Sequence, residues 1–207
     1  MKITKFEQSC LLVEEGDSKL LIDPGTPFTN KHQISELGIL DAVLITHEHA
    51  DHFDASLCNN IPTHTDVYVN EGTSKQLSRQ VKIVSDSELI NAGNFSIKVI
   101  ELPHCLMVDG NKGPQNVGYL INDKLFHPGD GAELKGLSIE ILALPITGPD
   151  VSPKEAFQFA RQVSADKALA IHYDTFGADP DYYKDRAEAT NQPFDLIVLS
   201  PGQSIDI

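Results

Sequence analysis

The 207-residue chain reads as an α/β protein. Apolar runs of strand length recur along it, some pair into hairpins across turn residues, and capped segments of helical periodicity fall between the late strands. Strands outnumber helices, and the two types alternate.

"SCLLVEEGDSKLLIDPG" (9–25) is strand, Gly-Asp turn and strand, closing at Pro24-Gly25. "DAVLIT" (41–46) is a continuous apolar run, the pattern of a strand covered on both faces, and "TDVYVN" (65–70) repeats it more weakly. "FSIKVIEL" (95–102) adds a strand, "NVGYLINDKLFHPGD" (116–130) a hairpin turning at Asn122-Asp123, and "SIEILALPI" (138–146) one strand more. "SPKEAFQFARQV" (152–163) starts a helix with Ser152 as N-cap, Pro153 at the first position and Glu155 at the third, a capping box. "KALAIHYDTF" (167–176) returns to a strand, "DPDYYKDRAEAT" (179–190) is a helix with acids in its first turn, and "FDLIVLS" (194–200) is a final strand. A weak internal echo links "GDSKLLIDPG" with "NDKLFHPGD" and "DAVLITHEH" with "KALAIHYDT". Each half then holds a hairpin followed by a buried strand ending in histidine.

This length suits one domain, 1–207, with a real core, and no linker or low-complexity segment divides it. The net charge of −14, with the acids scattered, disfavours nucleic acid and anionic membranes as partners and favours a small-molecule substrate; a homo-oligomer stays open. Cys10, Cys58 and Cys105 are odd in number and lack a CxxC, which fits a reducing compartment. With no signal-like N-terminus and no run of about 18 apolar residues, the expectation is a soluble cytoplasmic protein.

The chemistry concentrates in "THEHADHFD" (46–54), directly after the buried strand "DAVLI". In extended backbone His47 and His49 point to one side, and after the turn Asp51 and His52 reach the same space. Imidazole and carboxylate donors suit zinc and similar first-row divalent ions rather than magnesium or calcium. A solvated histidine-rich turn is the competing reading; the spacing at a strand end, where sites commonly lie, argues against it.

His-x-His-x-Asp-His after an apolar strand resembles the signature of the metallo-β-lactamase superfamily. The resemblance runs from "LLIDPG" to "AIHYDTF" and implies a four-layer αββα sandwich with a dinuclear metal site between two halves. It further implies that His47, His49 and His104 (in "ELPHC") hold one metal, that Asp51, His52 and His172 hold the second, and that Asp130 (in "HPGD") bridges them. The strings "IDPG", "HPGD" and "IHYDTF" are similar to the branch of ascorbate-6-phosphate lactonase-like proteins and related hydrolases. The implied activity is metal-dependent hydrolysis of a small ester, lactone or phosphoester by water shared between two divalent ions, zinc first, with manganese or iron as alternatives. Asp51 is the candidate catalytic carboxylate, orienting that water or taking its proton. A non-catalytic metal-binding or regulatory module on the same fold is the alternative, and a di-iron redox protein would need a flavin domain for which 207 residues leave no room.

Asp23 has two readings: an Asp-Pro turn residue, or the carboxylate that in this family orients a ligand histidine. His127 either supports the metal ligands or faces substrate, or is a partly exposed strand histidine; Cys105 is a core residue; Tyr173 and Asp174 are candidates to donate to a leaving group or contact substrate, with capping of the following turn the other reading of Asp174. The loops 104–115, with Lys112 as their basic residue, and 146–150 are the expected substrate walls. His32 and His64 are expected at the surface.

Overall fold

The structure is a computed structural model that describes residues 1–148, 151–175 and 177–207. Its elements in order are β1 (Lys2–Lys5), β2 (Leu11–Glu15), β3 (Ser18–Ile22), α1 (Thr26–Thr29), a 3-10 turn (Ile34–Leu37), β4 (Ala42–Leu44), α2 (Ala55–Asn60), β5 (Asp66–Val69), α3 (Glu71–Ser74), β6 (Lys82–Ile83) and β7 (Leu89–Ala92). There follow β8 (Phe95–Glu101), β9 (Val117–Ile121), β10 (Leu125–His127), β11 (Ile139–Pro145), α4 (Pro153–Gln162), β12 (Ala165–Ile171), α5 (Pro180–Ala189), β13 (Asp195–Ile197) and β14 (Ser204–Asp206).

Among the described residues the strands form two sheets, ordered β14-β1-β2-β3-β4-β5-β6 and β13-β12-β11-β10-β9-β8-β7. A repeat is visible in the pairing. β2–β3 and β9–β10 are antiparallel hairpins, each followed outward by parallel strands: β4, β5 and β6 in one sheet, β11, β12 and β13 in the other. At the opposite edges β14 pairs antiparallel with β1, and β7 with β8. The hairpin half of the sequence echo is therefore structural. Its strand half is displaced by one: β4 lies next to hairpin strand β3, whereas β12 is separated from β10 by β11.

One apolar cluster takes Leu11, Val13, Leu20 and Leu44 from the first sheet and Ile97, Tyr119, Ile141 and Leu169 from the second, so the sheets bury a shared interior. The outer face of the second sheet buries Phe126, Leu142 and Ala170 against Phe157, Phe159 and Ala160 of α4 and Tyr183 and Ala187 of α5. The outer face of the first buries Leu12, Leu21 and Val43 against Phe28 of α1 and Cys58 of α2. Helix, sheet, sheet, helix is the four-layer αββα sandwich.

The caps behave as the residue types require. Ser152 accepts from the Glu155 amide while Glu155 accepts from the Ser152 amide, and Asp179 accepts from Asp181 and Tyr182 at the start of α5. Asn122 and Asp123 both take φ near +50°, the backbone of a two-residue hairpin turn. "DAVLIT" pairs regularly only over Ala42–Leu44. The strand expected over 167–176 begins earlier, at Ala165, and stops at Ile171, because His172 turns to φ +64°; Phe176 lies outside the described residues. Strands β1, β6, β7 and β14 and the short helices α1 to α3 have no counterpart in the sequence reading. No helix among the described residues is long and apolar enough to cross a membrane.

Candidate metal centre

The facing ends of the two sheets carry the seven residues singled out by sequence, and they come together as two clusters. His47, His49, His104 and Asp130 form one; Asp51, His52 and His172 form the other; within each, potential ligand atoms all lie within 4.8 Å of one another. His47 and His49 follow β4, Asp51 and His52 sit in the turn after it, His104 follows β8, Asp130 follows β10 and His172 follows β12. The clusters abut, with the His47 and His52 ring centroids 4.2 Å apart.

Hydrogen bonds on the far side of four rings fix which nitrogen faces inward. The His52 Nδ1 lies 2.7 Å from Asp23 Oδ2, His104 Nδ1 2.6 Å from the Cys105 carbonyl and His172 Nδ1 2.6 Å from the Thr147 carbonyl. Each partner only accepts, so each Nδ1 carries the proton and Nε2 is the inward atom. The Thr46 hydroxyl donates to Asp23 Oδ2 and therefore accepts from His47 Nδ1, with the same result. His49 differs, turning its Nδ1 inward to 3.1 Å from His47 Nε2 and 3.3 Å from His104 Nε2. Tetrahedral ligands at zinc–nitrogen distances stand about 3.3 Å apart, so both separations from His49 match those of ligands on one shared ion, and all the cluster's donor atoms lie within 4.8 Å of one another.

Asp130 faces both clusters. Its Oδ2 lies 3.4 Å from His104 Nε2 and 3.8 Å from His47 Nε2, while its Oδ1 lies 3.0 Å from His52 Nε2 and 3.3 Å from His172 Nε2. Asp51 Oδ2 is 3.1 Å from His172 Nε2 and 3.9 Å from His52 Nε2. His52 Nε2 and Asp130 Oδ1 are fully buried, and neither has an aligned hydrogen-bond partner among the described residues. Buried polar atoms without partners cost free energy, and inward-facing nitrogen and carboxylate donors are what a divalent cation satisfies. The donor set fits metal.

Charge distribution agrees. Burial drives the His47 ring well below the usual histidine pKa, aided by the facing rings, and lowers His49 likewise. Burial opposes charge on His52, His104 and His172 as well, but their partners outweigh it: Asp130 and Asp23 raise His52 well above normal, Asp130 with the Cys105 side chain and carbonyl raises His104 to about 10, and Asp130 with Asp51 raises His172 to about 9. Burial likewise works against an ionised Asp51 and Asp130, yet the histidines hold both below the ordinary carboxylate range.

Asp23 resolves to the orienting reading. It is fully buried at φ +49° and accepts from the Thr46 amide, the Thr46 hydroxyl and His52 Nδ1. His127 is not the partly exposed strand residue: it is fully buried, donating Nε2–H to the Ser9 carbonyl and accepting from the amide of Gly129, the residue before Asp130, and it lies close enough to Asp23, His52 and Asp130 to feel their charge. The Tyr173 hydroxyl donates to the Leu199 carbonyl, and Asp174 pairs with Lys5, so both brace the fold. Cys105 is buried as expected and His64 exposed. His32 departs from expectation, half-buried against Phe6 and Phe28 with Nε2 2.9 Å from Glu7.

The loop 104–115 folds over His104. A Cβ on Gly113 would stand 2.3 Å from His104 Nδ1, so only glycine permits this approach. Beside it runs a groove of about 930 Å³ whose lining includes His104, Leu106, Lys112, Gly113, Val151 and Glu155. Of the second expected wall, 146–150, Pro149 and Asp150 lie outside the described residues.

Sequence reasoning missed Gln8, Thr46, Asn70 and Asn116. Asn116 joins the strand ends bearing His104 and Asp130: its Nδ2 donates to the Leu102 and Pro128 carbonyls and its Oδ1 accepts from the Asp130 amide. Asn70 Nδ2 donates to the Thr46 and Gln115 carbonyls, tying the histidine turn to loop 104–115. A polar residue flanking an apolar strand is the only signal any of them offers.

The model of the β-lactamase superfamily domain matches residues 2–172. Among curated relatives, protein Rv0786c of Mycobacterium tuberculosis is 29% identical over 95% of this chain and 96% of its own, and a UPF0173 metal-dependent hydrolase of Alkaliphilus metalliredigens is 28% identical over 92% and 94%. Among solved structures, Igni18, a metallo hydrolase from the archaeon Ignicoccus hospitalis, superposes with a TM-score of 0.79 at 22% identity, covering 99% of this chain and 97% of its own. With its αββα layers, its histidine and aspartate clusters at the facing strand ends and a family match across most of its length, the chain belongs to the metallo-β-lactamase superfamily.

Proposed function

We propose that the protein is a metal-dependent hydrolase holding two divalent ions, zinc by preference, and acting on a small ester, lactone or phosphoester. The observation that carries this reading is Asp130, whose two carboxylate oxygens face two separate donor clusters at once. His47, His49 and His104 would hold one ion and Asp51, His52 and His172 the other. When bound, such a pair supplies Lewis acidity and brings the pKa of coordinated water toward neutrality.

The chain's own residues do the rest. Asp23, Thr46, Cys105 and Thr147 keep the ring protons on the outward nitrogens, leaving the inward lone pairs for metal. Asp51 is the most exposed carboxylate of the centre, at 21% of its side chain, and stays ionised beside His172. It is therefore placed to accept a hydrogen bond from an attacking water and orient it. The groove beside His104 has the size of a small-molecule site, and Lys112 supplies a cation for an anionic substrate. The match to a UPF0173 metal-dependent hydrolase supports hydrolysis without naming a substrate; the lactonase-like branch rests on the three short strings alone.

The test is a panel of esters, lactones and phosphoesters assayed before and after chelation. Turnover of one class that chelation abolishes, zinc restores and His49→Ala removes is expected. Metal bound with no turnover across the panel would favour the non-catalytic metal-binding module.

A further inference from the structure

We propose that Gln8 is the positioning residue for the Asp51–His52–His172 half of the centre, clamping Asp51 to the loop that carries His172. The inference rests on the two-metal reading above. Gln8 is fully buried in the loop between β1 and β2, at φ +57°, a left-handed conformation that costs a non-glycine residue free energy. Four of its polar groups point to this half of the site. The side-chain Nε2 donates to Asp51 Oδ2 at 3.0 Å, and Oε1 accepts from the Thr175 amide at 3.1 Å. The backbone carbonyl accepts from the His172 amide at 3.0 Å, and the backbone amide donates to Asp174 Oδ2 at 2.8 Å.

The clamp is itself anchored. Asp174 Oδ2 also receives the buried Lys5 Nζ at 2.7 Å, and that ammonium lies 4.4 Å from the Tyr173 ring centroid. His127, donating to the Ser9 carbonyl, fixes the next residue of the same loop. Asp51 comes from the first half of the chain and His172 from the second, and no strand pairing among the described residues connects their turns. Gln8 does so: its amide donor engages the same Asp51 oxygen that faces His172 Nε2 at 3.1 Å, which sets the carboxylate's rotation. The His47–His49–His104 cluster receives no hydrogen bond from Gln8 among those of the described residues.

This asymmetry makes the role testable. Gln8→Met keeps the side chain's length and removes the amide; Gln8→Gly removes the side chain and accepts the φ without strain. Both retain the backbone bonds to His172 and Asp174. Ions per chain would be counted and Zn²⁺ titrated against a chelating competitor, with Co²⁺ absorption to follow each position and near-ultraviolet circular dichroism to confirm the fold. We expect both variants to keep the first ion at wild-type affinity and to hold the second roughly 10–100-fold more weakly, as loss of a ligand-orienting hydrogen bond does. Wild-type affinity for both ions in the variants would overturn the role, as would equal loss of both. A wild-type protein that binds no metal would instead overturn the two-metal reading, and this inference with it.

Discussion

Asp23 shows how much one residue does at this site. Held buried at φ +49°, it takes three donors, two from Thr46 and one from His52, and thereby orients rings in both clusters. Asp23→Ala is expected to weaken metal binding by roughly 10–100-fold, read by competition with a chelator. Unchanged affinity would mean that His52 keeps its orientation without this partner. Gly113 acts by absence. Gly113→Ala would drive a methyl group into the His104 ring, so the variant should lose affinity at the three-histidine position while its Asp51–His52–His172 side is spared. At this scale His47, His49, Asp51 and His52 were legible from their spacing after a buried strand, whereas His104, Asp130 and His172, far apart in sequence, were picked out through the family resemblance. Gln8, Asn70 and Asn116 were not, since amides are common on any surface and only the folded chain shows which are buried.

At the scale of elements, strands aim the ligands and turns release them. β8, β10 and β12 run in one direction in the second sheet and β4 lies in the first, and each is followed by a ligand-bearing turn. The hairpins and α4 were readable from turn residues and a capping box, which are local signals. Strands β1 and β14 were not: they pair residues about 200 positions apart, such as Ile3 with Ile205, and distance in sequence hides that partner. The displaced echo has the same origin, since β11 carries no histidine to mark it as the sheet neighbour of β10. The α4 cap gives an independent check on packing. Ser152→Ala should cost about 1 kcal/mol in a denaturant melt, and Phe159→Ala, at the buried face of that helix, about 3–5 kcal/mol. Both variants should leave metal content unchanged.

For the whole molecule, the metal-free centre couples stability, pH and metal uptake. His104 and His172 have folded pKa values raised to about 10 and about 9 from an ordinary value of 6.5. A raised pKa means the folded state binds protons more tightly than the unfolded chain, so their stabilisation is fully present below pH 6.5 and fades as pH rises toward 9 to 10. Metal needs the same nitrogens deprotonated, so its affinity should climb across that interval and its binding release protons. Thermal melts of chelated protein should therefore fall between pH 6.5 and 9, while zinc affinity rises. Parallel trends would contradict the assignment of these rings as ligands. Shielding of the sheets by helices on both outer faces leaves the site at their shared rim, beside the groove that His104 lines.

The most direct measurement is the number of metal ions per chain, in protein purified without a histidine tag or added metal, alongside His49→Ala and His172→Ala. The two-cluster geometry predicts close to two ions in the wild type, with His49→Ala losing the ion of the His47 side and His172→Ala that of the His52 side. No bound metal after reconstitution, or an unchanged count in both variants, would contradict the account.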